Sequence, residues 1–258
     1  MTRIPLLLGA ALLVACGSGD DAADADASGD TALAPSAAAA DPDARTDGGG
    51  PPAGYLGQVD PGGDPVTGAN YVVRDGRWEV RTGPAHVVYA AGDTASGAYT
   101  VAATIEQMEA PAHPEAFGLF IGGTNLDQPT GQTYGYFIVR HTGEYMVRAR
   151  EGETTRTVTN WTASPNVPKS DGDGRATYNL AVRVGADSVR FMVNDQPVGA
   201  VASSAVPTSG VAGVRINHSL HVMVTPPTIT RGQSADAGRG GRRAPVLAVA
   251  DAGSRGAR

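Results

Sequence analysis

The residues of this chain that could carry chemistry fall into small, separate groups, and their spacing decides which could act together. Glu106 and Glu109 are three apart, so in an extended segment their carboxylates point to opposite faces and cannot flank one scissile bond. Glu151 and Glu153 flank Gly152 in an expected turn, where solvated carboxylates are the rule. His218 and His221 are also three apart and cannot share a metal ion from one strand. Ser170-Asp171-Gly172-Asp173-Gly174 places two carboxylates in a glycine-rich loop, and Asn125 with Asp127 forms a second group of oxygen donors. Asp171 and Asp173 are the calcium candidates, short of the six to eight oxygens (about that number) that Ca2+ takes. No serine sits in a Gly-x-Ser-x-Gly elbow and no phosphate-cradling glycine loop precedes a helical pattern. No catalytic residue is therefore assigned, and no cofactor other than Ca2+ is in view.

Binding has better carriers. In segments 133–140 and 144–150, alternation puts Phe137, Val139, Tyr145 and Val147 on one face, leaving Tyr134, Tyr136, Arg140, Met146 and Arg148 on the other. Tyrosine rings stack on apolar ring faces and arginines donate hydrogen bonds to hydroxyls, a combination suited to sugars. Trp161, in a polar, Pro-containing segment, is expected at the rim of this face. Tyr134, Tyr136, Arg140, Arg148 and Trp161 are thus the candidate ligand-binding residues. The alternative is that the same face packs under a long loop with Trp161 plugging the sandwich edge.

These side chains need strands to position them. Between about residues 54 and 230 the chain shows short apolar runs in alternation, punctuated by Gly, Pro, Asn and Asp. The most regular are 99–105, 116–122, 133–140, 144–150, 177–184, 188–193, 211–217 and 220–225, and no stretch sustains a helical period. His141-Thr142-Gly143 and Asn194-Asp195 each separate two such runs, and Asn and Asp tolerate positive φ, so antiparallel hairpins are expected at both. Many antiparallel strands with long, Pro-containing connections predict an all-β fold, an antiparallel two-sheet jelly-roll sandwich.

The run Asp187-Ser188-Val189-Arg190-Phe191-Met192-Val193-Asn194-Asp195-Gln196-Pro197-Val198, with Gly210-Val211-Ala212-Gly213-Val214-Arg215-Ile216-Asn217-His218 after it, resembles the late strands of the concanavalin A-like lectin/glucanase superfamily. It is similar there to laminin-G-like and keto-disaccharide hydrolase domains, with Asp195 where those carry glycine. The resemblance implies the sandwich, and, from laminin-G-like domains, calcium at a loop rim. Retaining glucanases of the superfamily carry Glu-x-Asp-x-x-Glu on one strand, and this sequence has no such motif. The likeness supports architecture rather than activity.

The ends differ from the middle. Met1-Thr2-Arg3 supplies a positive start, and the chain then runs apolar from Ile4 to Val14, the length of an export signal and too short to span a membrane. Leu13-Val14-Ala15-Cys16 resembles the lipobox of bacterial lipoproteins, which implies cleavage before Cys16 and acylation of its thiol and amine. Cys16 is the only cysteine, so no intramolecular disulfide can form. Gly17 stands where, in enteric-type sorting, Asp retains a lipoprotein on the inner membrane, which implies the outer membrane of a Gram-negative-type bacterium. The expected organisation is a signal at 1–15, lipidated Cys16 and an acidic, disordered linker at 16–53, the sandwich at 54–230, and a disordered tail at 231–258 with Arg239, Arg242 and Arg243 among glycines.

A formal net charge of -6, with no basic stripe through the middle, gives no means of holding a phosphate backbone and excludes nucleic acid as an expected partner. Three functions remain open. The first is a membrane-anchored module that binds polysaccharide without catalysis. The second is a glycan-processing hydrolase of the keto-disaccharide hydrolase or glucanase type, its carboxylates on separate loops. The third is a structural or protein-binding envelope component.

Overall fold

The computed structural model describes residues 49–60, 65–81 and 83–232. The expected export signal, Cys16, most of the linker and the tail beyond 232 lie outside the described residues. The described chain forms strands β1 (Leu56–Val59), β2 (Asn70–Arg74), β3 (Arg77–Arg81), β4 (His86–Tyr89), β5 (Thr94–Ala95), β6 (Tyr99–Gln107), β7 (Ala116–Thr124) and β8 (Thr133–Arg140). It continues with β9 (Glu144–Glu151), β10 (Thr154–Ala163), β11 (Ala176–Val184), β12 (Ser188–Val193), β13 (Gln196–Ala202), β14 (Gly210–Ile216), β15 (His221–Val224) and β16 (Thr228–Arg231). Among the described residues the only helical turns are short 3-10 segments at Val66–Gly68 and Ser203–Ala205, and none is long and apolar enough to cross a membrane.

Two antiparallel sheets result. The first runs β1-β4-β14-β7-β8-β9-β10, with β5 also on β14; the second runs β13-β12-β11-β6-β15-β3-β2, with β16 also on β6. This is the all-β, two-sheet jelly-roll sandwich that the alternation predicts. Both expected hairpins form: His141, Thr142 and Gly143 join β8 to β9, and Asn194 and Asp195 join β12 to β13 with φ of 49° and 62°. Two successive positive φ values match the turn twist to the strand twist, which is why Asn and Asp stand there.

The core fills the space between the sheets. Phe117, Leu119, Ile121, Phe137, Val139 and Val147 of the first sheet meet Tyr99, Val101, Tyr178, Leu180, Val182 and Phe191 of the second. Phe137 stacks on Phe191 at 5.0 Å, and Phe117 meets Tyr178 edge-on at 5.2 Å. Each fully buried side chain of this size contributes about 1.5–3 kcal/mol, so the core can hold the sandwich without a disulfide.

The first sheet ends on the strand that carries Trp161. Trp161 lies within β10, whose Thr-rich residues have the branched side chains that suit a strand yet show no apolar alternation because β10 is an exposed edge. Two bulges, at Thr157/Thr159 and Thr159/Thr162, bend β10 and re-aim its side chains, and Trp161 packs onto the outer side of the sheet.

Candidate functional site

Alternation gives the first sheet a second buried face, turned away from the core. Val87 and Tyr89 of β4, Ala116 and Phe120 of β7, Tyr134, Tyr136 and Ile138 of β8 and Met146 of β9 form a cluster separate from the main core, with Leu126 and Trp161 against it. The split of Tyr134, Tyr136 and Met146 from Phe137, Val139, Tyr145 and Val147 is the one the sequence predicts. Rings cross the strands as a row: Tyr89 to Phe120 at 6.3 Å, Phe120 to Tyr134 at 5.7 Å, and Tyr134 to Tyr136 at 5.8 Å. Gly213 of β14 lies between Tyr89 and Phe120, where a Cβ would come within 2.8 Å of the Phe120 ring.

Above these rings sits an ion cluster. Arg215 of β14 donates from both terminal nitrogens to Asp60, Nη1 to Oδ1 at 2.8 Å and Nη2 to Oδ2 at 2.6 Å. Arg150 of β9 donates from Nη2 to the same Oδ1 at 2.9 Å and from Nε to the Tyr134 hydroxyl at 3.0 Å. Tyr134 donates in turn to Asp60 at 3.2 Å. Asp60, just past β1, thus draws together side chains of β14, β8 and β9. Burial alone pushes its carboxyl up, but the Arg215 guanidinium, then Arg150 and the Tyr134 hydroxyl, outweigh that and hold it well below the usual carboxylate range. Burial pushes the Tyr134 hydroxyl up to about 12. Asp60 is therefore a fixed anion and Tyr134 a fixed neutral donor, and neither is placed to exchange protons near neutral pH.

The five candidate residues divide. Tyr134 and Tyr136 are 1% and 6% exposed, so their rings offer no open face for stacking and act as the floor of the site. Arg140 and Trp161 meet at the open edge, the guanidinium carbon 4.1 Å from the indole centroid. Arg140 is held in place because its Nε donates to Glu144 at 2.8 Å, and Glu144 also accepts from the Thr142 hydroxyl at 2.6 Å. Arg148, half-exposed, stands opposite Tyr136 on β8 and Thr157 on β10. Of the five candidates, those with accessible surface on this face are thus Trp161, Arg140 and Arg148.

Other candidates resolve as turns and ion pairs. Asp171 Oδ1 accepts the backbone N–H of Asp173 at 3.0 Å and of Arg175 at 2.8 Å, so this carboxylate closes its own loop. Asn125 donates to the Gly131 carbonyl at 3.1 Å. Glu106 and Glu109 do not face opposite ways as expected: they pair with Arg77 and Arg81 on one face of the second sheet, because β6 ends at Gln107 and the chain turns before Glu109. Glu151 pairs with Arg156 at 2.9 Å across the turn that holds Glu153. His218 and His221 do go to different neighbours, Glu115 and Glu79.

No family model matches the chain, and no curated protein matches it. Among solved structures, it is similar in fold to a protein of unknown function with galectin-like fold from Bacillus subtilis, at TM-score 0.50 and 12% identity over 68% of this chain and 88% of that one. It also aligns with the carbohydrate-binding module CBM66 from Bacillus subtilis, at TM-score 0.49 and 10% identity over 68% and 94% of the two chains. At such identities the likeness is one of fold.

Sequence reasoning missed Asp60, Arg150 and Arg215. Arg150 carries on the alternation of Met146 and Arg148, and Arg215 shares the parity of Val211 and Gly213, so both were in reach of the pattern. Asp60 gives no local signal, since only tertiary contact places it.

Proposed function

We propose that this protein is a lipid-anchored envelope protein whose sandwich binds polysaccharide without catalysis, through the edge of the first sheet where Arg140 lies over Trp161. The observation that carries this is the platform itself, a half-buried indole on the edge strand β10 with the Arg140 guanidinium 4.1 Å from its ring centre, beside the second buried face of the sheet. The indole edge left open beside Arg140 presents apolar surface to the C–H groups of a sugar, while Arg140 and Arg148 donate to its hydroxyls. The galectin-like fold shared with the Bacillus subtilis protein supports this as architecture. Lipid on Cys16 would tether the domain through more than one acyl chain, as stable attachment requires.

Affinity electrophoresis of the full chain through gels containing a panel of neutral and acidic polysaccharides tests the binding. Retardation by at least one polysaccharide, relieved in Trp161→Ala, is the expected result. Equal mobility across the panel sinks the reading.

A further inference from the structure

Just before β7, whose first residue Ala116 pairs with Arg140 at the end of β8, three side chains converge that none of the above uses. Glu115 directly precedes β7 and His218 lies two residues past β14, on strands that pair Phe117 with Ile216. The Asn217 N–H donates to the Ala116 carbonyl at 3.1 Å, which extends the pairing and fixes the spacing of Glu115 and His218. His113 is two residues before Glu115, across Pro114; a residue before proline is held extended, and in an extended chain residues two apart face the same side. The result is that His113 Nε2 stands 2.8 Å and His218 Nε2 3.3 Å from the same oxygen, Glu115 Oε1. One donor atom from each of the three lies within 4.8 Å of the others, against about 3.3 Å between donors in a filled tetrahedral zinc site.

We propose that His113, Glu115 and His218 form a binding site for a zinc-class divalent ion, with an open coordination position toward solvent. Two imidazoles and one carboxylate are the nitrogen and oxygen set such ions take, and are a poor set for calcium, which wants oxygens alone. The Glu115 side chain is only 7% exposed, while those of His113 and His218 are 41% and 30% exposed. The anionic ligand is therefore fixed in the fold, and the open side is the one an ion can enter from. The partners of the Glu115 carboxylate in this cluster are two imidazoles, and neither carries a permanent positive charge. A bound divalent ion supplies that charge.

The test is zinc uptake by the full chain after EDTA stripping, measured by equilibrium dialysis with ZnCl2 and metal analysis. The expected result is one zinc per chain, with affinity at least about tenfold weaker in His113→Ala/His218→Ala, a loss of the size that disturbing a metal site produces. Both side chains are exposed enough for removal without opening the core, and circular dichroism of the variant checks that it folds. No uptake by the wild type, or a folded double variant within tenfold of it, overturns the site.

Discussion

Without its carboxylate, Asp60 would leave the guanidinium groups of Arg150 and Arg215, with side chains 7% and 5% exposed, buried and uncompensated. Breaking a buried pair in this way costs about 3–5 kcal/mol, so Asp60→Asn should lower the unfolding free energy by that order in urea titrations. Because the folded carboxyl is held well below its ordinary value of about 4, Asp60 contributes stability that is full above that pH and lost only in stronger acid. His86 acts at milder pH. Its Nδ1–H donates to the Pro84 carbonyl, leaving Nε2 to accept from the Tyr71 hydroxyl, so the ring is built in as the neutral form. Burial is the main cause that lowers its pKa to about 4. The neutral ring therefore contributes stability that is present above about pH 6.5 and lost as pH falls toward 4, about 3 kcal/mol in full. Urea unfolding at pH 7 and pH 4.5 should show this fall in the wild type and a flatter slope in His86→Gln; parallel slopes would contradict it. Neither role is legible in sequence, since both depend on partners brought together from distant strands. His113-Pro114-Glu115 is local in sequence, but its third partner, His218, likewise comes from beyond β14.

The strands themselves were largely legible. Segments 133–140 and 188–193 match β8 and β12 end to end, because β12 opens on polar-apolar alternation and β8 is a short, nearly continuous apolar run closed by a turn. Strand β10 lacked that signal, because an edge strand exposed on much of its length has no apolar face to betray it. Packing on the second face makes its own prediction. A Cβ on Gly213 would stand 2.2 Å from the Val88 carbonyl oxygen and 2.8 Å from the Phe120 ring, whereas one on Gly92 meets nothing within 4 Å. Gly213→Ala should cost about 1–3 kcal/mol by overpacking, and Gly92→Ala should stay within about 1 kcal/mol of the wild type. Equilibrium unfolding of the two variants side by side checks the difference.

For the whole molecule, the sandwich needs no cross-link, and the single cysteine is free for a lipid. Metabolic labelling with palmitate should mark the wild type and not Cys16→Ser, and the variant should move from the membrane to the soluble fraction. Fold class was legible because a two-sheet sandwich repeats one local pattern many times; the binding face was only half legible because alternation tells which side a tyrosine takes but not whether that side is covered. Tyr134 and Tyr136 took the expected face and were buried on it, leaving Trp161 and Arg140 at its edge. The most direct test of the glycan reading is the dissociation constant of the full chain for whichever polysaccharide retards it, set against Trp161→Ala and Arg140→Ala with thermal unfolding as a control for folding. The account predicts that each variant unfolds close to the wild type and that Trp161→Ala binds at least about tenfold more weakly, the loss expected when a central aromatic anchor is removed. Undiminished binding by a folded Trp161→Ala would contradict it.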